Sequence, residues 1–146
     1  MPLLHDPTVR ASIEARLNAL RSDATRRWGR MTVDQMLWHV NQFLAAALGE
    51  ISLPEQKIAM PPFLLRFILL RMPWPKSAPT NSGAIASRAY DFAVEHHRCR
   101  ELIDRLVRRP LEGEWNVNPV LGAVNGRFVS ALQAKHLDHH LRQFGV

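Results

Sequence analysis

The residues best suited to chemistry lie in the stretch KHLDHHLRQFGV, residues 135–146, which holds three of the seven histidines. Placed on a helical wheel at 100° per residue from Phe128, His136 falls at about 80° and His140 at about 120°. Both positions lie inside an arc of apolar residues, one turn apart on the same face. Two neutral imidazoles with this spacing can bind one divalent metal ion, such as zinc, nickel or iron.

Two ligands rarely hold a metal ion tightly, so a third ligand is expected from another element. His39 is the candidate, because it lies beside Phe43 on the flank of a second predicted apolar face. His139 falls at about 20°, at the edge of the apolar arc, so it is a weaker ligand candidate and is assigned to the surroundings of the metal site or the substrate pocket. The alternative for His39, His136 and His140 is a structural role, in which each buried ring is hydrogen-bonded to a neighbour.

Four long helices and one short helix are predicted to position these residues. The second long helix begins at a capping box, since Thr32 and Gln35 have the required types and spacing, and Gly49 ends it. The predicted bounds are residues 7–22, 32–49, 84–108 and 126–144 for the long helices and 62–72 for the short one.

The third long helix is predicted from apolar residues at spacings of 3 and 4 between Ile85 and Leu106. His96 occupies a core position in this repeat. We favour a hydrogen-bonded core histidine there, and the alternatives are a fourth metal ligand or a group that contacts the ligands. Cys99 lies one turn further and is predicted to be buried. Glu95 falls off the apolar stripe.

The stretch from Ile51 to Ser82 is a predicted crossover connection, because its six prolines exclude one long helix. Within it, residues 62–72 form a short helix that is apolar on nearly all sides. Such a helix needs cover from the bundle, a partner chain or a lipid surface, and we favour the bundle or a dimer contact. A second connection, residues 110–125, precedes the last helix.

Length and composition predict one domain over residues 1–146, since 47% of the residues are hydrophobic and 22% are charged. The single cysteine excludes an intramolecular disulfide framework and a cysteine zinc cage, and fits a reducing cytoplasm. The N-terminus lacks the apolar core of a signal peptide, and no apolar run is long enough for a transmembrane segment. A cytoplasmic location is therefore predicted.

The net charge of +6 raises the question of nucleic-acid binding. The arginines are spread along the chain, however, and no basic run alternates with aromatic residues. We therefore predict a solvated basic surface and no specific nucleic-acid partner.

The motifs MTVDQMLWH, residues 31–39, and KHLDHHLRQFG, residues 135–145, resemble those of the DinB-like superfamily, also called DinB/YfiT-like. Within it, the chain is most similar to a bacterial group that ends in a near-identical HLDHHLRQFG and carries the APT segment found here at residues 78–80. The resemblance covers nearly the whole chain. It implies an all-α fold, a four-helix up-down-down-up bundle with a long crossover connection carrying the short extra helix.

The resemblance also implies a histidine triad, with His39 from the second helix and His136 and His140 from the last. Members commonly bind a divalent ion assigned as nickel, zinc or iron, and many are homodimers. Characterised relatives include low-molecular-weight thiol transferases and a thiol-dependent isomerase. A metal, a homodimer and a thiol are thus implied here, although fold analogy alone does not transfer a reaction.

The first functional hypothesis is a metal-dependent enzyme, a thiol-dependent transferase or a hydrolase, whose ion activates water or a thiol. Gln133 and Gln35, each about one turn before a predicted ligand, would orient ligands or substrate. Trp38, Phe43 and the 62–72 helix would line a pocket for a small apolar substrate.

The second hypothesis is a non-catalytic dimerising bundle, whose histidines are structural or bind metal only for stability. The third is a basic protein that binds membrane surfaces or nucleic acid, which requires the arginines to gather on one face. An open metal site beside a substrate-sized pocket would favour the enzyme, whereas a closed site would favour the second hypothesis.

Overall fold

The computed structural model describes residues 1–113, 115, 116, 118 and 120–146. Within these residues the protein is all-helical, with five α-helices, one short 3-10 helix and no β-strand. Three residues of the predicted 110–125 connection, Glu114, Val117 and Pro119, lie outside the described residues. The helices are α1 Pro7–Ala19, α2 Val33–Leu48, α3 Pro62–Arg71, α4 Phe92–Arg108 and α5 Gly126–Gln143, and the 3-10 helix is Ser82–Ala84.

Capping groups set the ends of the two helices that carry the candidate ligands. The predicted capping box of α2 is present, and the Gln35 Oε1 atom accepts a hydrogen bond from the Thr32 backbone N–H at 3.1 Å. Gly49, with φ of 79°, ends this helix in the left-handed conformation that glycine favours. The Asn125 side chain caps α5 by accepting from the Phe128 N–H at 2.8 Å.

The third long helix is shorter than predicted, since α4 begins at Phe92 and not at Ala84. Asp91 is its N-cap, and its Oδ1 atom accepts a hydrogen bond from the Val94 N–H at 3.0 Å. A side-chain cap of this kind replaces the backbone partner that a further helical turn would have supplied.

The residues just before α4 are held by a contact with α2. The Tyr90 N–H donates to the Asp34 carboxylate at 2.8 Å, so this N–H is not available to an earlier helical turn. Ile85, which the apolar repeat placed in the core, is 58% exposed. The core prediction for Ile85 was therefore wrong.

The core lies where the four long helices meet. α2 packs most extensively against α4, and α5 packs against both α1 and α2. Each helix contributes fully buried leucines, among them Leu17, Leu37, Leu44, Leu102 and Leu137. Burial of one such side chain stabilises the fold by about 1.5–3 kcal/mol. These packings bring α2 beside α5, while the up-down-down-up order of the bundle stays a prediction.

The short helix α3 is covered on one side only. None of its residues is buried, and it packs against α5. In the described part of the chain, no helix combines the length and apolar character that crossing a membrane requires.

Candidate metal centre

Three histidine side chains from two helices meet inside the protein. His39 comes from α2, and His136 and His140 come from α5, with one ring nitrogen of each within 4.8 Å of the others. The Nε2 atoms of His39 and His136 are 3.1 Å apart. Two nitrogens that each lie about 2.0–2.1 Å from one ion are about 2.9–3.4 Å apart at octahedral or tetrahedral angles. The His39–His136 separation therefore fits a shared ion, whereas the 4.8 Å limit for the three nitrogens together is wider than this range, so the group would contract around an ion held by all three.

Hydrogen bonds on the far side of two rings decide which nitrogen faces the cluster. The Nδ1 atom of His39 lies 2.8 Å from the Ala84 carbonyl oxygen, and that of His140 lies 2.8 Å from the Gln143 Oε1 atom. Both oxygens only accept, so each Nδ1 carries the proton and each Nε2 presents a lone pair to the cluster. Without an ion, the Nε2 atom of His39 accepts a hydrogen bond from the Nε2–H group of His136 at 3.1 Å, which an ion would replace. Gln143 is itself held, because its Nε2 atom donates to the Trp28 carbonyl at 2.9 Å.

Burial keeps all three rings neutral. His39, His136 and His140 are only 4%, 6% and 7% exposed. Burial, followed by the neighbouring histidines, holds the pKa of His136 well below its ordinary value. Burial lowers the pKa of His140 to about 3 and also lowers the pKa of His39. Neutral imidazole is the form that binds metal, so no proton competes with an ion at pH 7.

Two aromatic side chains cover the cluster. The ring of Phe43 contacts His39 and His136, with ring centroids 5.1 and 4.8 Å apart. Trp74, from the connection after α3, lies with its ring centroid 5.6 Å from that of His136. Phe43 was among the predicted pocket residues, whereas no sequence pattern indicated Trp74.

His139 lies beside the cluster rather than in it. Its half-buried ring packs against Trp28 at 5.8 Å, Trp74 at 5.6 Å and His140 at 5.1 Å between centroids. Among the described residues, the group of candidate ligands contains His39, His136 and His140 but not His139.

The other predicted site residues on α2 and α4 have partners elsewhere. Gln35 closes the capping box of α2, and Trp38 stacks on Tyr90 with centroids 4.9 Å apart. The Nε2 atom of His96 lies 2.8 Å from the Leu17 carbonyl oxygen, so His96 connects α4 to α1.

Two further polar side chains are buried. Gln133, on α5 before His136, is 5% exposed, and its Oε1 atom has no hydrogen-bond partner among the described residues. Glu95 is 7% exposed and accepts from the Asn41 Nδ2 atom through its carboxyl group at 2.8 Å and its carbonyl at 2.9 Å. The sequence placed Glu95 off the core stripe, which was wrong, because α4 buries it against α2.

Two surface cavities, of about 430 and 420 Å³, lie away from the triad. The first is lined by Arg66 and residues 123–125 with Phe128, and the second lies between α1, α3 and α5. Neither of these two cavities is lined by a histidine of the triad, whereas Phe43 and Trp74 both pack against the His136 ring.

We expect the metal-free protein to lose stability as the pH falls from 7 to 5. The unfolded chain gains a proton on His140 near the ordinary pKa of 6.5, whereas the folded protein gains it only near a pKa of about 3. For one such histidine, the free energy of unfolding is about 2 kcal/mol lower at pH 5 than at pH 7. Urea unfolding with a chelator at both pH values measures this change.

His140→Gln should reduce this pH dependence by about the same amount. His97→Gln is the matched control, because His97 is exposed on α4 and its surface pair with Glu101 is worth less than about 1 kcal/mol. An unaltered pH dependence in His140→Gln would contradict the prediction.

The structure thus brings together the three histidines that the sequence singled out. Three contacts were missed, namely the Ala84 carbonyl, the Gln143 side chain and Trp74, and only Gln143 has a sequence signal, one turn after His140. Comparisons of the chain with protein-family models, curated proteins and solved structures found no match.

Proposed function

We propose that the protein binds one divalent transition metal ion through His39, His136 and His140 and is a metal-dependent enzyme. The observation that carries this proposal is the buried cluster of three neutral imidazoles. In two of them, the Nδ1–H group already donates a hydrogen bond to an oxygen atom outside the cluster. Nickel, zinc and iron(II) all suit such ligands. A bound ion would act as a Lewis acid and lower the pKa of a water or a thiol, which suits hydrolysis or thiol transfer.

The protein's own residues would orient the ligands and exclude water. The Ala84 carbonyl and Gln143 fix two of the rings, which limits the directions from which an ion can bind. Phe43 and Trp74 form an apolar wall against His136, which suits a small apolar substrate. Gln133 offers a buried acceptor without a donor, and we assign it to orienting a substrate N–H or O–H group.

The motif resemblance supports three finer proposals. A low-molecular-weight thiol is the proposed co-substrate, the protein is proposed to form a homodimer, and the long helices are proposed to follow the up-down-down-up order. The packing of α2 on α4 and of α5 on α1 and α2 is compatible with that order.

A non-catalytic metal site is the second candidate, and the closure of the cluster favours it. Each of the three rings is at most 7% exposed, and Phe43 and Trp74 both contact His136. An ion held there would then only stabilise the fold. The two candidates differ in whether a small molecule can reach the ion.

Loading the protein with cobalt(II) tests both candidates, because its visible absorption bands report on the ligands of the ion. In an enzyme, azide or 2-mercaptoethanol should change the bands in a saturable way. Trp74→Ala should make this change faster, while Trp38→Ala, which alters a ring stacked on Tyr90, should not. If neither reagent alters the absorption bands, in the wild type or in Trp74→Ala, the enzyme proposal is contradicted and the non-catalytic metal site is supported.

A further inference from the structure

The chain from Ile58 to Met72 exposes an unusual amount of apolar surface. Five of the eight large apolar side chains that are exposed among the described residues lie there. Phe63 is 73% exposed and Phe67 is 57% exposed, and the two are one turn apart on the same face of α3. Leu64, Met72 and Ile58 complete the set. We call these five residues the α3 face.

Hydrogen bonds from two basic side chains hold α3 in place, while the α3 face is exposed to solvent. The Lys135 Nζ atom donates to the Leu69 carbonyl at 2.7 Å and to the Met72 carbonyl at 2.6 Å. The Arg66 Nε atom donates to the Leu121 carbonyl at 2.9 Å. No α3 residue is buried. The helix is therefore fixed through its polar groups, which leaves its largest apolar side chains in solvent.

The charged residues between Gln56 and Tyr90, the part of the chain that carries the α3 face, are all positive. No aspartate or glutamate occurs from residue 56 to residue 90. Lys57, Arg71 and Lys76 are exposed, and the described part of the chain provides none of them with an ion pair. A second copy of the chain on this face would bring like charges together, whereas an anionic surface would be complementary to them.

We propose that the α3 face docks on an anionic phospholipid surface. The helix would lie in the plane of the interface, with Phe63 and Phe67 inserted at the boundary between headgroups and acyl chains. Lys57, Arg71 and Lys76 would contact the headgroup phosphates, and each cation near such a surface raises the affinity about fivefold. The surface is a docking site and requires no metal ion, so it stands apart from the histidine cluster.

Vesicle sedimentation of the full-length protein tests this proposal. The probes are vesicles of phosphatidylcholine alone and of phosphatidylcholine with about a third phosphatidylglycerol. Binding is expected to the anionic vesicles and to fall steeply with added salt. Phe63→Ser combined with Phe67→Ser should weaken binding at least about tenfold, because both apolar anchors are lost.

The chain provides matched controls for both components of the surface. Ile85→Ser with Val94→Ser changes two residues that are 58% and 60% exposed away from the α3 face, and should leave binding within about twofold. Arg71→Gln with Lys76→Gln should weaken binding about 25-fold, whereas Arg100→Gln with Arg108→Gln on α4 should not. Circular dichroism and thermal unfolding confirm that each variant is folded.

Three outcomes would overturn the proposal. The folded wild-type protein could fail to bind anionic vesicles, or the control variants could lose binding as strongly as the α3 variants. A third outcome is a dimer in solution that Phe63→Ser with Phe67→Ser dissociates, without vesicle binding. That outcome would assign the α3 face to contact between two copies of the chain.

Discussion

Replacement of His136 by alanine is expected to abolish binding of a transition metal ion. The wild-type protein is purified without an affinity tag or a chelator, and its metal content is measured by mass spectrometry. It should contain about one metal ion per chain. His136 contributes the nitrogen that lies 3.1 Å from the Nε2 atom of His39, so its loss leaves two ligands. Replacing even a group that only orients a ligand reduces metal affinity about 10- to 100-fold, so loss of a ligand should reduce it more than 100-fold.

His139→Ala is the matched control for this measurement. It removes a neighbouring histidine whose ring packs against His140 but which is not one of the three grouped ligands. It should therefore keep its metal, as should His96→Ala, which lies between α4 and α1. Absence of metal from the wild type, together with no uptake of zinc, nickel, iron(II) or manganese, would contradict the metal-site proposal.

The second large effect is expected at the polar contact between α2 and α4. Asn41 is fully buried, and its Nδ2 atom donates to both the carboxyl group and the carbonyl of Glu95. Asn41→Ala leaves the buried Glu95 carboxyl group without this donor, while the Glu95 carbonyl keeps its intrahelical partner, and should lower the free energy of unfolding by about 3 kcal/mol. Urea unfolding at pH 7 measures the loss.

A double-mutant cycle separates this contact from simple loss of packing. Asn41→Ala, Glu95→Ala and the double variant should show a coupling free energy of about 1–3 kcal/mol. The double variant should accordingly be less destabilised than the sum of the single variants. Strict additivity would show that the contact contributes nothing beyond packing. Metal content should be unchanged in all three variants, since neither residue belongs to the group of candidate ligands.

The last helix shows how far the sequence alone could predict the site. His136 and His140 are four residues apart, and helical geometry places such a pair on one face whatever surrounds it. Placing His39 beside them required the packing of α2 on α5, which no local pattern encodes. His39 was singled out by its position on the flank of an apolar face, the resemblance of the second-helix motif agreed with that choice, and the structure brings the three rings together.

The errors arose where tertiary contacts override periodicity. The apolar repeat continued smoothly from Ile85 into the third helix, yet Asp91 caps that helix, and Ile85 is exposed. Asp91 is a favourable N-cap residue type and could have indicated the start of this helix, but the prediction gave more weight to the apolar repeat. The burial of Glu95 depends on Asn41 from another helix, and the Ala84 contact uses a backbone carbonyl, which residue type does not reveal.

The sequence separation within the triad has a consequence for when metal can bind. His39 and His136 are 97 residues apart along the chain, whereas His136 and His140 share one turn. Closing a loop of that length in a flexible chain costs about 4 kcal/mol of entropy. An unfolded or newly made chain can therefore offer an ion only the local pair. The proposed binding by all three histidines would require that α2 and α5 have already come together, so metal retention would measure native topology.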